Sequence, residues 1–204
     1  TIGKNLVPFF IARGVGYQVT INSFRWLDIA SLVLFLGFFV LELIVALPNV
    51  SGALALALFA VNTFRLSQWH TKGIWTTPLL WGLYLSYGFI CLGFLLIGLH
   101  YFVGVSKYLA IHAFAVGGIA LITLSMMSRV AIGHTGRDIS KPHKLVKVAF
   151  VLLILCATAR VLLPLAMPSL TFDWMRLSFV LWLGAFSSFL WVYTPMLLSP
   201  RIDR

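Results

Sequence analysis

The sequence predicts an all-α, polytopic transmembrane helix bundle with six spans and both termini cytoplasmic. Three observations carry this. The 204-residue chain is 61% hydrophobic and only 10% charged, where an ordinary soluble domain is about 25% charged. Its mean hydropathy is +1.01. Its apolar residues fall into six runs, each close to the roughly 20 residues a helix needs to cross about 30 Å of hydrocarbon.

Taken in order, residues 1–24 hold Lys4, Arg13 and several glycines and read as a basic loop whose apolar piece, 7–12, is too short to span. Spans are expected at 25–47, 50–66, 78–102, 106–129, 143–165 and 172–198. Pro48-Asn49 stops the first, and the second is short. Residues 65–77, with Arg65, His70 and Lys72, read as a polar loop. Pro78 opens the third span at its first turn, where a missing N–H costs nothing. Residues 133–142 read as a loop, Pro164 and Pro168 close the fifth span, and Pro200 closes the sixth. This makes one membrane domain over 1–204.

Fifteen Lys and Arg face five acids. An N-in topology puts Lys4, Arg13, Arg25, Arg65, Lys72, Arg129, Arg137, Lys141, Lys144, Lys147, Arg201 and Arg204 on one side, and only Lys107, Arg160 and Arg176 on the other. That asymmetry follows the positive-inside rule, so the basic charge needs no nucleic-acid partner. Trp26, Trp69, Trp75, Tyr101, Trp174 and Tyr193 fall near helix ends, where an interfacial aromatic belt sits. Cys91 and Cys156 lie in apolar runs and read as small hydrophobes. No Cys-x-x-Cys or Cys-x-x-Cys-His occurs, so nothing supports covalent c-type haem attachment or a thiol redox pair. Paired carboxylates, Gly-x-Ser-x-Gly, a P-loop and His-Glu-x-x-His are also missing, so no catalytic residue is assigned.

Ionisable residues at membrane depth are expensive and point to function. Glu42, His112 and Arg160 all fall in the outer half, roughly 8–10 Å below the helix ends, with His100 slightly higher. Two readings stand side by side. A Glu42–Arg160 ion pair would hold two helices together, with His112 hydrogen-bonded in the core. Alternatively, His112 would ligate haem iron or copper, and Arg160 would face an anionic group such as a propionate.

On the fourth span a helical projection puts His112, Thr123, Met126 and Arg129 on one stripe. It puts Ala113, Gly117, Ala120 and Leu124 on a flank suited to close helix approach. His112 and Arg129 are about 25 Å apart, so they define two stations. The inner one has His70, His134 and His143 as candidate metal ligands, with Met126 and Met127 at its edge; imidazole and thioether suit copper. Gly133 and Gly136 imply a tight turn around His134 and Thr135. Arg129 and Arg137 beside it suit phosphate or carboxylate groups, including lipid headgroups.

Residues 112–137, HAFAVGGIALITLSMMSRVAIGHTGR, strongly resemble the signature of the NnrS family: a His-x-x-x-Val-Gly element, then Met-Met-x-Arg-Val-x-x-Gly-His-Thr-Gly-Arg. GKNLVPFFIAR at 3–13, PLLW at 78–81 and ARVLLP at 159–164 extend the resemblance over essentially the whole chain. It implies a bacterial inner-membrane protein that contains haem, here b-type, and copper, and that acts in the response to nitric oxide and in denitrification. It implies nitric oxide as a ligand and a membrane redox partner. His112, then His100, are the expected haem ligands, with Arg160 on a propionate. Relatives usually have about twelve helices, so the chain is expected to be the C-terminal half of a longer protein. Where relatives often carry a histidine after PLLW, this chain has Tyr84-Leu85-Ser86, so no ligand is carried over there. The competing expectations are a cofactor-free transport protein and a structural subunit of a membrane redox complex.

Overall fold

Proline and charge punctuate the apolar runs, and the helices break there. The computed structural model describes residues 2–19, 21, 24–45, 47–139 and 142–202; Lys141 and Arg204, counted above, lie outside them. Among the described residues six helices are long and apolar enough to cross a membrane: α2 (Arg25–Ile44), α3 (Pro48–Gln68), α4 (Pro78–Val103), α5 (Lys107–His134), α6 (Lys144–Ala166) and α7 (Pro168–Leu198). They are preceded by a shorter helix, α1 (Ile2–Gly14). No strand occurs among the described residues.

Helix α1 corrects the expected basic loop. Val7 and Ile11, one turn apart, are fully buried, and Val15 continues their face. The helix lies against α4 and the 3₁₀ turn Lys72–Thr76. Gly14 permits this contact: a Cβ there would come within 2.8 Å of Leu80. The second span is also longer than expected, because Pro48 starts the helix at its first turn.

Successive spans pack antiparallel as a ladder from α2 to α7, with α4 and α5 at its centre and α2 and α7 at opposite edges. Close approach rests on small residues, as in membrane helix packing generally. A Cβ on Gly82 of α4 would fall 2.3 Å from Phe150 of α6, and one on Gly117 of α5 would fall 2.2 Å from Phe89 of α4. The expected packing flank of α5 is in contact: Ala113, Gly117 and Leu124 are buried. Two π-helical stretches interrupt the spans, Leu41–Val45 and Ala113–Ala120. Such stretches gather at functional sites, and the second begins directly after His112.

Candidate functional site

The far end of the ladder, where α5 begins and α6 ends, holds a cavity of about 730 Å³. Its volume suits a small-molecule or cofactor site. His112 and Tyr108 come from α5, Arg160 and Pro164 from α6, and Thr171 and Met175 from α7. His112 Nδ1 lies 2.6 Å from the Tyr108 carbonyl oxygen. A carbonyl only accepts, so Nδ1–H is the donor and Nε2 keeps the ring's free lone pair. Arg160 has no hydrogen-bond or ion-pair partner among the described residues. The other walls are mostly apolar.

The expected Glu42–Arg160 pair does not form. Glu42 takes Lys107 from the start of α5 as its ion-pair partner, and the Tyr101 hydroxyl donates to its other oxygen at 2.7 Å. Lys107 enters the bundle at the same level as Glu42, so the carboxylate is satisfied before Arg160 is needed. His100 binds the backbone instead: its Nδ1–H donates to the Val105 carbonyl at 2.8 Å and ties the end of α4 to the following turn. It does not line the His112 cavity, although Val105 does.

At the opposite end, the Gly-His-Thr-Gly-Arg turn is a helix terminator. Gly136 adopts φ +71°. Arg137 N–H donates to the Ile132 carbonyl at 3.1 Å and Gly136 N–H to the Gly133 carbonyl at 3.4 Å. That is the bonding of a Schellman cap, with glycine where a left-handed residue is required. The Thr135 hydroxyl adds a 2.7 Å bond to the Ala131 carbonyl. The cap presents His134 to a second cavity, about 390 Å³, that it shares with Met126, Arg129 and Arg201.

The other inner histidines go elsewhere. His70 packs on Trp75 and Tyr84, with ring centroids 6.5 and 5.9 Å away. His143 Nδ1 accepts the Leu145 N–H at 3.2 Å as the N-cap of α6. No group of three or more His, Cys, Asp or Glu able to hold a metal ion occurs among the described residues.

A buried polar network around Arg65 was missed in the sequence. Arg65, placed there in a loop, sits inside α3 and is 6% exposed. Its Nη1 donates to Asn62 Oδ1 and to the Tyr87 hydroxyl, both at 3.1 Å. Its Nη2 donates to the Leu27 carbonyl at 2.7 Å and to Asp28 Oδ1 at 3.1 Å. Tyr87 in turn donates to Asn62 Oδ1 at 2.6 Å. The available signal was an Asn62-x-x-Arg65 pair one helical turn apart, hidden by ending the second span at residue 66.

An all-helical bundle of six candidate spans, with charged and polar side chains gathered at cavities near both ends, defines a multi-pass membrane protein. The chain belongs to the NnrS family: the family model described as NnrS protein matches residues 1–201. That family is associated with the nitric oxide response and is known for binding haem and copper. No curated protein and no solved structure matches the chain.

Proposed function

We propose that the chain is a haem-binding NnrS protein of the bacterial inner membrane, with both termini cytoplasmic, that acts in the tolerance of nitric oxide. The observation that carries this is the shared cavity of His112 and Arg160. The residues there fit a haem. His112 offers Nε2 while its other nitrogen is held by the Tyr108 carbonyl, the orientation device usual for ligating imidazoles. Arg160 is a cation with no partner among the described residues, suited to a propionate. Apolar walls from α5, α6 and α7 make up most of the remainder.

When bound, the haem would supply an iron that takes nitric oxide. The chain's own contribution is to fix the imidazole ring, to hold a counter-charge at Arg160 and to close the site with Pro164, Leu165 and Met175. Copper is a poorer fit. His134 and Met126 do share a cavity, but Arg129 and Arg201 line it too, and two guanidinium groups oppose a cation. No step is routed through copper.

The test is the absorption spectrum and iron content of the purified protein, with and without nitric oxide. A Soret band that shifts on adding nitric oxide supports the reading. A colourless protein that stays colourless after haem is added favours the transport or structural alternatives.

A further inference from the structure

The His134 cavity is independent of the haem reading and has its own chemistry. Arg129 Nε is buried and has no hydrogen-bond partner among the described residues, and neither does Arg137 Nη1. A buried, unsatisfied guanidinium nitrogen is costly. The usual consumers of cations at this position are occupied: the last carbonyls of α5 are taken by the Schellman bonds and by Thr135. The Arg129 guanidinium lies over the Phe10 ring at 4.5 Å, which positions it without using any N–H donor. Arg129, His134 and Arg201 line the cavity together, and no acidic side chain does. The rest of its lining is mostly apolar, from Phe10, Met126 and Val130. The bond from Ile202 N–H to the Thr135 carbonyl, 3.3 Å, docks the C-terminal segment on the turn and brings Arg201 alongside.

We infer that this cavity binds a phosphate group, with Arg129 as its principal donor and His134 and Arg201 at its rim. A guanidinium fork matches phosphate oxygens. The site lies at the end of a helix long and apolar enough to span, which would put it at headgroup level, and it combines cations with apolar walls. That combination fits the phosphate of an anionic phospholipid, whose chains would follow Phe10, Met126 and Val130. Free phosphate shares the recognised group. Helix α1, packed on α4, then also holds the arginine in place through Phe10.

The experiment compares the wild type with Arg129→Gln. Each is delipidated in detergent, then transferred to nanodiscs of phosphatidylglycerol or of phosphatidylcholine, and separately titrated with inorganic phosphate. Bound lipid is counted by native mass spectrometry and stability by thermal unfolding. The wild type is expected to retain phosphatidylglycerol and to melt higher in it than in phosphatidylcholine. Arg129→Gln is expected to bind it about fivefold or more weakly. Stabilisation by inorganic phosphate, lost in Arg129→Gln but without lipid preference, would assign the site to free phosphate. Equal behaviour of both proteins toward phosphatidylglycerol and phosphate overturns the inference. Arg176→Gln, exposed at the opposite end, is the control that changes nothing. If Arg129→Gln fails to fold, Arg201→Gln, at an exposed position, makes the same comparison and decides it the same way.

Discussion

Arg65 of α3 holds Asp28 of α2 at 3.1 Å, and the same guanidinium reaches Asn62 and Tyr87 with its other nitrogen. One buried side chain near the end of α3 thus joins three spans. Arg65→Met leaves Asp28 without this partner and is expected to cost about 3 kcal/mol in detergent unfolding. Asp28→Asn should cost less, because Arg65 keeps the Leu27 carbonyl, Asn62 and Tyr87. Arg65→Lys should not rescue the loss, since an ammonium lacks the fork that reaches both groups of acceptors.

The two glycines of the terminating turn have different tasks. Gly136 sits at φ +71°, so Gly136→Ala should destabilise by about 1 kcal/mol. Gly133 lies inside the helix, and a Cβ there would meet only Ile139 at 3.8 Å. Gly133→Ala should therefore be neutral or slightly stabilising. Thermal unfolding of the two variants side by side distinguishes a conformational requirement from general loop sensitivity.

Tyr17 lies outside the spans, and its phenol oxygen accepts the Gly73 N–H. The Thr71 hydroxyl and then the Gly73 N–H at 3.0 Å hold its phenol below the usual tyrosine range. A folded-state value below the unfolded one means that the unfolded chain binds more protons in the interval between them. The contribution to stability therefore rises with pH across that interval, is fully present above the unfolded value, and is lost as pH falls through the folded one. Alkaline titration of tyrosinate absorbance should show a component below the ordinary range that disappears in Tyr17→Phe.

The separate pairing of Glu42 and Arg160 makes their substitutions distinguishable. Arg160→Gln is expected to lower haem retention with helix content unchanged. Glu42→Gln disturbs a contact with Lys107 and Tyr101 and should leave haem retention as it was. Equal losses in both would restore the ion pair that the structure rejects.

The spans were legible because a run of about 20 apolar residues has few alternatives in lipid. Helix α1 was not, because its apolar piece at 7–12 is too short to span and its buried face is only two turns long. The resemblance marked His112 and His134, and helix geometry separated them into two stations, which the structure places at two cavities. Partner choice was less legible. Equal depth allowed Glu42 to meet Arg160, but depth carries no information on which helices are neighbours, and Lys107 was nearer. Arg65 was hidden for a related reason: a charge at a span's edge reads as loop until the helix is seen to run past it.

The central claim is that His112 Nε2 is the haem's iron ligand. The most direct measurement is the electron paramagnetic resonance and absorption spectrum of the haem-loaded protein in wild type, in His112→Gly, and in His112→Gly with added imidazole. The account predicts a histidine-ligated spectrum in the wild type, its loss in the variant and its return with imidazole. A His112→Gly protein with haem content and spectra identical to wild type would contradict it.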